Sequence, residues 1–214
     1  MDLKRIYRWE MVLVSLFGVY ITAKHLVNAQ PFLALLGPTS LLFLLIPPAA
    51  ERLFRMRLGY PLKLWVLTFS YMGFSLGTAL RWFDRFGPYD NINHFLSGIL
   101  FTMIGFCLFA RVREEKPVDR SRELLLQISY AFCFSMFVAV IWEIFEYTGF
   151  QLTGHDSQHT LTTGVNDTME DIIACFLGSA VMALAYARSY GKGRYSWLCA
   201  PIRAFDRANH PDGQ

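Results

Sequence analysis

The chain has 214 residues, of which 54% are hydrophobic, 16% aromatic and only 17% charged; soluble domains carry roughly 25% charged residues. Mean hydropathy is +0.31, and the apolar residues gather in blocks of about 18–25, the length that crosses a hydrocarbon core. A net charge of +3 marks no nucleic-acid partner, because the basic residues sit in short clusters between apolar blocks. Four isolated cysteines, Cys107, Cys133, Cys175 and Cys199, exclude a CxxC metal site and suggest no disulfide framework.

A basic head over residues 1–8 precedes the first apolar run, Trp9 to Ala23, which continues toward Val27. Val27-Asn28-Ala29 resembles a small-residue cleavage site, but the later runs make better sense with this segment retained as a helix. The second run, Phe32 to Ala50, holds Pro38, Pro47 and Pro48, so a kink and an early end are expected. The third extends from Leu62 to Leu80, with Trp65 and Trp82 near its ends, where aromatic side chains anchor at interfaces. The fourth spans Ile92 to Ala110, the fifth Leu124 to Phe150 and the sixth Asp167 to Ala187. The fold class expected is all-α, a polytopic membrane protein of six transmembrane helices. Residues 1–187 form a single transmembrane domain, its polar half over 88–187. Residues 188–214 form a cytoplasmic, partly disordered polar tail.

Six helices place both ends of the chain on one side. All of the 20 lysines and arginines except Lys24, Arg81 and Arg85 fall on that side. This bias reads as both termini cytoplasmic, in a bacterial inner membrane. The acids Asp84, Asp90, Glu143, Glu146, Asp156, Asp167, Glu170 and Asp171 all belong to the opposite, outward ends and loops.

Position within the helices separates some of these acids from ordinary solvated groups. Counting about 1.5 Å per residue from Leu124 puts Glu143 roughly 28 Å along its helix, near the far edge of a core about 30 Å thick. His94 opens the fourth helix at the same level, and Asp171 lies about one turn inside the sixth. His94, Gly98 and Gly105 share a face, as do Ser135, Ala139, Glu143 and Glu146, and again Asp167, Asp171, Ala174 and Gly178. Small-residue stripes let helices approach closely in lipid, so the polar groups are expected to point into a tight bundle of helices four, five and six. Ionisable groups inside spans are costly and mark function, ion binding or pairing.

Plainer explanations exist for several of these residues. Asp167 with Glu170 fits a capping box, and Asp90 or Asn91 fits a helix cap. Glu146, Asp156, His155 and His159 read as solvent-facing, and Arg81 reads as an interface anchor. For His94, Glu143 and Asp171 the plain alternative is a purely structural hydrogen-bond network. Carboxylates brought this close repel unless a cation lies between them. A divalent metal held by His94, Glu143, Asp171 and Asp90 is the economical solution. Oxygen-rich sites with one imidazole suit Mg, Mn, Ca, Zn or non-haem Fe.

The run Tyr89-Asp90-Asn91-Ile92-Asn93-His94-Phe95 with Gly98, then Glu143-Ile144-Phe145-Glu146-Tyr147, then Asp167-Thr168-Met169-Glu170-Asp171-Ile172 with Gly178, resembles the YjdF-like family of bacterial inner-membrane proteins. The resemblance covers about residues 88 to 180. More distantly the chain is similar to VanZ-like proteins, associated with glycopeptide resistance. Their pattern has Gln where Glu146 stands here and Asn where Cys175 stands. The resemblance implies a multi-pass membrane protein and supplies no reaction.

The leading expectation is a metal-dependent, membrane-embedded enzyme acting on a lipid or lipid-linked envelope substrate. Glu146 or Asp167 would serve as general base and Arg81 would hold a phosphate. The partners are then membrane lipids. An ion-coupled transporter, in which the acids relay protons or bind the cargo ion, is the rival class. An envelope scaffold or ligand-binding protein is the third.

Overall fold

A computed structural model describes residues 2–112, 119–154, 156, 158–190 and 196–209. All regular structure among them is helical. Five helices are long and apolar enough to cross a membrane: α1 (Leu3–Val27), α2 (Pro31–Leu53), α4 (Tyr89–Val112), α5 (Arg120–Thr153) and α6 (Asn166–Ser189). Between α2 and α4 lies α3 (Gly59–Ser70), and α7 (Ala200–Asn209) closes the described chain. The chain divides into two compact units, residues 1–89 with 203–214, and residues 90–202.

In the first unit, α1 begins earlier than its apolar run. Asp2 caps it, its side chain accepting from the Lys4 amide at 3.0 Å, so the basic head forms the opening turns of the helix. The prolines of α2 act as expected on its geometry and not on its length. A 3₁₀ turn at Phe43–Leu45 interrupts it, just where Pro47 and Pro48 cannot donate backbone hydrogen bonds. The helix then resumes over Ile46–Leu53, past the expected end at Ala50, because its first turn needs no such donors. Gly37 faces Gly18 and Thr22 of α1 so closely that a Cβ there would collide with the Gly18 carbonyl oxygen.

The third expected span is realised differently. Its α-helical part has only 12 residues and runs on as a nine-residue π-helix, Tyr71–Ala79. Long π stretches are rare. Here Tyr89 donates to the Met72 carbonyl at 2.8 Å, serving an acceptor at the opening of the wider turns. Gly77 gives room to the Phe83 ring, which any side chain there would strike. The run stops at Arg81, whose φ of 59° is left-handed.

The tail holds a helix at α7. Asn209 donates to the Arg57 carbonyl at 2.7 Å and accepts from the Arg57 amide at 2.8 Å. Phe205 is fully buried, and Ala204 packs against Gly59 at a left-handed turn (φ 71°). Thus α7 fastens onto the segment between α2 and α3. Residues 191–195 and 210–214 of the expected polar tail lie outside the described residues.

The second unit is built on α4, α5 and α6. Gly98 of α4 lies against the backbone of Cys175 and Ser179, and Gly178 of α6 against that of Phe95 and Ile99. Gly105 meets the backbone of Ala131 on α5. The buried stripe of α5 is Gln127, Ala131, Ser135, Ala139 and Glu143, each four residues from the next and therefore on one face. Ser179 donates to the Ser135 hydroxyl at 2.9 Å, and Ser135 donates to the Gly98 carbonyl at 3.2 Å, tying all three helices at their closest approach. Further along, Phe106 stacks on Tyr186 at 3.9 Å, and the Tyr186 hydroxyl donates to Gln127 at 2.7 Å.

Candidate metal centre

The glycine contacts bring the N-terminal parts of α4 and α6 together, and with them Asp90, His94 and Asp171. Asp171 is 2% exposed and His94 8%. The His94 Nε2 atom lies 3.4 Å from Asp90 Oδ1 and 3.6 Å from Asp171 Oδ2. One ligand atom from each of the three residues falls within 4.8 Å of the other two. Asp90 also sits in the first turn of α4, where the helix dipole favours negative charge.

Both nitrogen–oxygen separations exceed the roughly 2.7–2.9 Å of a charge-assisted hydrogen bond. A single ring N–H cannot point at two carboxylates at once. A metal bound at about 2.0–2.2 Å places neighbouring ligand atoms about 3 Å apart, and the two histidine–carboxylate separations lie near that spacing. The opposite ring edge is held separately. His94 Nδ1 is 3.7 Å from the Cys175 thiol, which donates to the His94 carbonyl at 3.2 Å and lies 3.1 Å from the Ser97 hydroxyl. A ring fixed at Nδ1 keeps Nε2 directed at the two carboxylates.

Of the other expected ligands and catalytic groups, Glu143 is 7% exposed but stands outside the three-residue triangle. Its Oε2 accepts from Gln158 Nε2 at 3.1 Å. The same amide nitrogen reaches the Glu143 carbonyl and the Thr168 hydroxyl, each at 3.2 Å. Glu146 is half-buried and accepts from the Trp142 indole at 3.0 Å on its own helix. Asp167 is half-buried, with Oδ2 enclosed and meeting no partner among the described residues. Arg81 is exposed in the first unit, bonded to Asp84 at 2.7 Å.

Capping does not account for the acids of α6. The residue before its first turn is Val165, with no side-chain cap, so Asp167 and Glu170 lie inside the helix and form no capping box. Asp90 likewise follows the first residue of α4. Asp156, expected to face water, instead gathers the turn around it. It accepts from the Thr160 amide at 2.9 Å, the Thr160 hydroxyl at 2.8 Å and the Leu161 amide at 2.9 Å. Slight desolvation pushes its carboxyl up, but these bonds and the nearby His159 outweigh it and hold the group below its ordinary value. His159 is exposed; His155 lies outside the described residues.

Cys175 and Ser179 could have been read as site residues, since they follow Asp171 by four and eight residues on one stripe. Gln158 carries no such signal, because a loop of Gly, Ser, Thr and Gln looks solvated whatever one amide does.

Among the described residues all regular structure is helical, five apolar helices reach spanning length, and a histidine and an aspartate are buried where two of them meet: this is a multi-pass membrane protein. Residues 9–192 match the family described as Predicted membrane protein (DUF2238), and the chain belongs to that family. It is also similar to an uncharacterized protein of Thermotoga maritima. The two are 25% identical over 194 residues, covering 87% of this chain and 92% of the relative. No solved structure matches it.

Proposed function

We propose that this chain is a membrane-embedded, metal-dependent enzyme whose divalent cation is held by Asp90, His94 and Asp171, with a lipid or lipid-linked envelope substrate. The observation that carries the reading is the pair of 3.4 Å and 3.6 Å separations from one imidazole nitrogen to two carboxylates. A bound divalent ion would polarise a phosphoryl or carbonyl oxygen, or supply an activated water. His94 would present Nε2, aligned by Cys175 and Ser97. Glu143, buried on α5, would serve as a further ligand, and Glu146 or Asp167 as proton acceptor.

We further propose six crossings, the sixth made by Gly59–Ser70 with Tyr71–Ala79, in a bacterial inner membrane with both termini cytoplasmic. The basic bias along the chain supports this topology, and reporter fusions after residues 2 and 209 should both report a cytoplasmic location.

Metal analysis of the purified protein tests the central claim. Wild type should retain a stoichiometric divalent metal and His94→Ala should lose it. Equal, metal-free preparations would overturn it and leave a metal-free lock between α4 and α6. Lipid profiles of cells with and without the chain then test the enzymatic step. Accumulation of a lipid-linked intermediate is expected in its absence, and unchanged profiles would speak against it.

A further inference from the structure

One end of the first unit gathers positive charge from segments far apart in sequence. The end of α2 and the turn after it carry Arg52, Arg55 and Arg57, all exposed. Helix α7 brings the exposed Arg207 to the same place. Two residues further on, Asn209 accepts from the Arg57 amide at 2.8 Å and donates to the Arg57 carbonyl at 2.7 Å. The start of α1 arrives there too. Its Tyr7 ring lies 6.0 Å from that of Tyr60 in the first turn of α3, and the neighbouring Lys4, Arg5 and Arg8 are exposed.

Among the described residues, no carboxylate pairs with Arg52, Arg55, Arg57 or Arg207. Glu51, the acid next to Arg52, is already committed. One of its oxygens accepts from the Leu58 amide at 2.9 Å and the other from Lys63 at 2.7 Å. Between Arg52 and Arg55 stand Leu53, 75% exposed, and Phe54, 54% exposed. They close a helix of spanning length, Pro31–Leu53, so the patch falls where hydrocarbon gives way to headgroups. The first anionic groups at that level are lipid phosphates. Two apolar side chains flanked by arginines suit such a boundary, the apolar pair entering the acyl edge while the guanidinium groups face phosphate. A nucleic acid or an acidic soluble protein would satisfy the charge and leave Leu53 and Phe54 in water.

We propose that this surface binds anionic phospholipid, with Arg52, Arg55, Arg57 and Arg207 on the headgroup phosphates, and that the fastening of α7 completes it. The surface lies within the first unit; it goes beyond the metal reading and does not depend on it.

The experiment is lipid competition on the full chain in nanodiscs holding equal amounts of phosphatidylglycerol and phosphatidylcholine with matched chains, read by native mass spectrometry. Each basic side chain near an anionic surface is worth about fivefold, so wild type should retain phosphatidylglycerol by about tenfold or more. Arg52→Gln, Arg55→Gln and Arg57→Gln together should bring the two lipids near parity. Asn209→Ala should lower the preference with no change of charge, because it frees Arg207 from the patch. Arg111→Gln, Arg122→Gln and Arg188→Gln together, at exposed positions of the second unit, remove the same charge and should keep the preference. Equal retention of the two lipids by wild type, or a preference that survives the substitutions at Arg52, Arg55 and Arg57, would overturn the proposal. An equal loss in the second-unit variant would also overturn it, since net charge alone would then be the cause. A preference unmoved by Asn209→Ala would overturn the part assigned to α7.

Discussion

At the scale of single residues, the second unit depends on what is missing from three positions. Gly98, Gly105 and Gly178 are places where a neighbouring backbone occupies the volume a Cβ would need. Gly98→Val should therefore force α4 and α6 apart, costing on the order of 1–3 kcal/mol or more. Thermal unfolding in detergent should show a lowered midpoint. Asp156 gives a prediction in pH. Its carboxyl is held below the ordinary range in the folded turn, so its stabilisation is present above that range and is lost as pH falls through the depressed value. Exchange protection of the Thr160 and Leu161 amides should be flat near neutrality and fall only in strong acid. In Asp156→Asn it should be weak at all pH values. The glycine stripes were legible in the sequence because period and residue size suffice to define them. The role of Asp156 was not, since nothing in the sequence distinguishes a turn-gathering carboxylate from a solvated one.

At the scale of elements, spanning helices follow from apolar length, and the structure moves their ends outward by one to six residues where polar residues continue the helix. The π run resisted sequence reading for a physical reason. Hydrogen-bond register leaves no trace in hydropathy, and Gly73, Ser75 and Gly77 signal only weak α preference. Tyr89→Phe removes the hydroxyl bonded to the Met72 carbonyl, so the mutant should lose about 1 kcal/mol and show faster exchange in Tyr71–Ala79. The hydroxyl chain Ser179–Ser135–Gly98 is a modest contributor by comparison. Interhelical hydrogen bonds in membranes average about 0.6 kcal/mol, so Ser135→Ala should lower stability far less than Gly98→Val in the same unfolding assay.

At the scale of the whole molecule, hydropathy identifies a membrane protein, and counting residues along helices puts His94, Glu143 and Asp171 at one level. What counting could not supply was partner choice. The count puts Glu143 at the same level, yet its carboxylate accepts from Gln158, in the turn before α6, and stands outside the triangle. The fastening of the tail was also invisible, because two hydrogen bonds between Asn209 and Arg57 join positions 152 apart. Asn209→Ala should release that end, and limited proteolysis should then cut between residues 200 and 209 far sooner than in wild type.

The 34 residues of α5 carry one last consequence. At about 1.5 Å per residue the helix is roughly 51 Å long, against a hydrocarbon thickness of about 30 Å. Burying all of it would need an inclination of about 54°, beyond the roughly 40° limit seen for spanning helices. Whatever slope it adopts, part of this rod must stand clear of the hydrocarbon core, so Cys introduced at Leu152 and at Arg120 should not both resist a water-soluble maleimide.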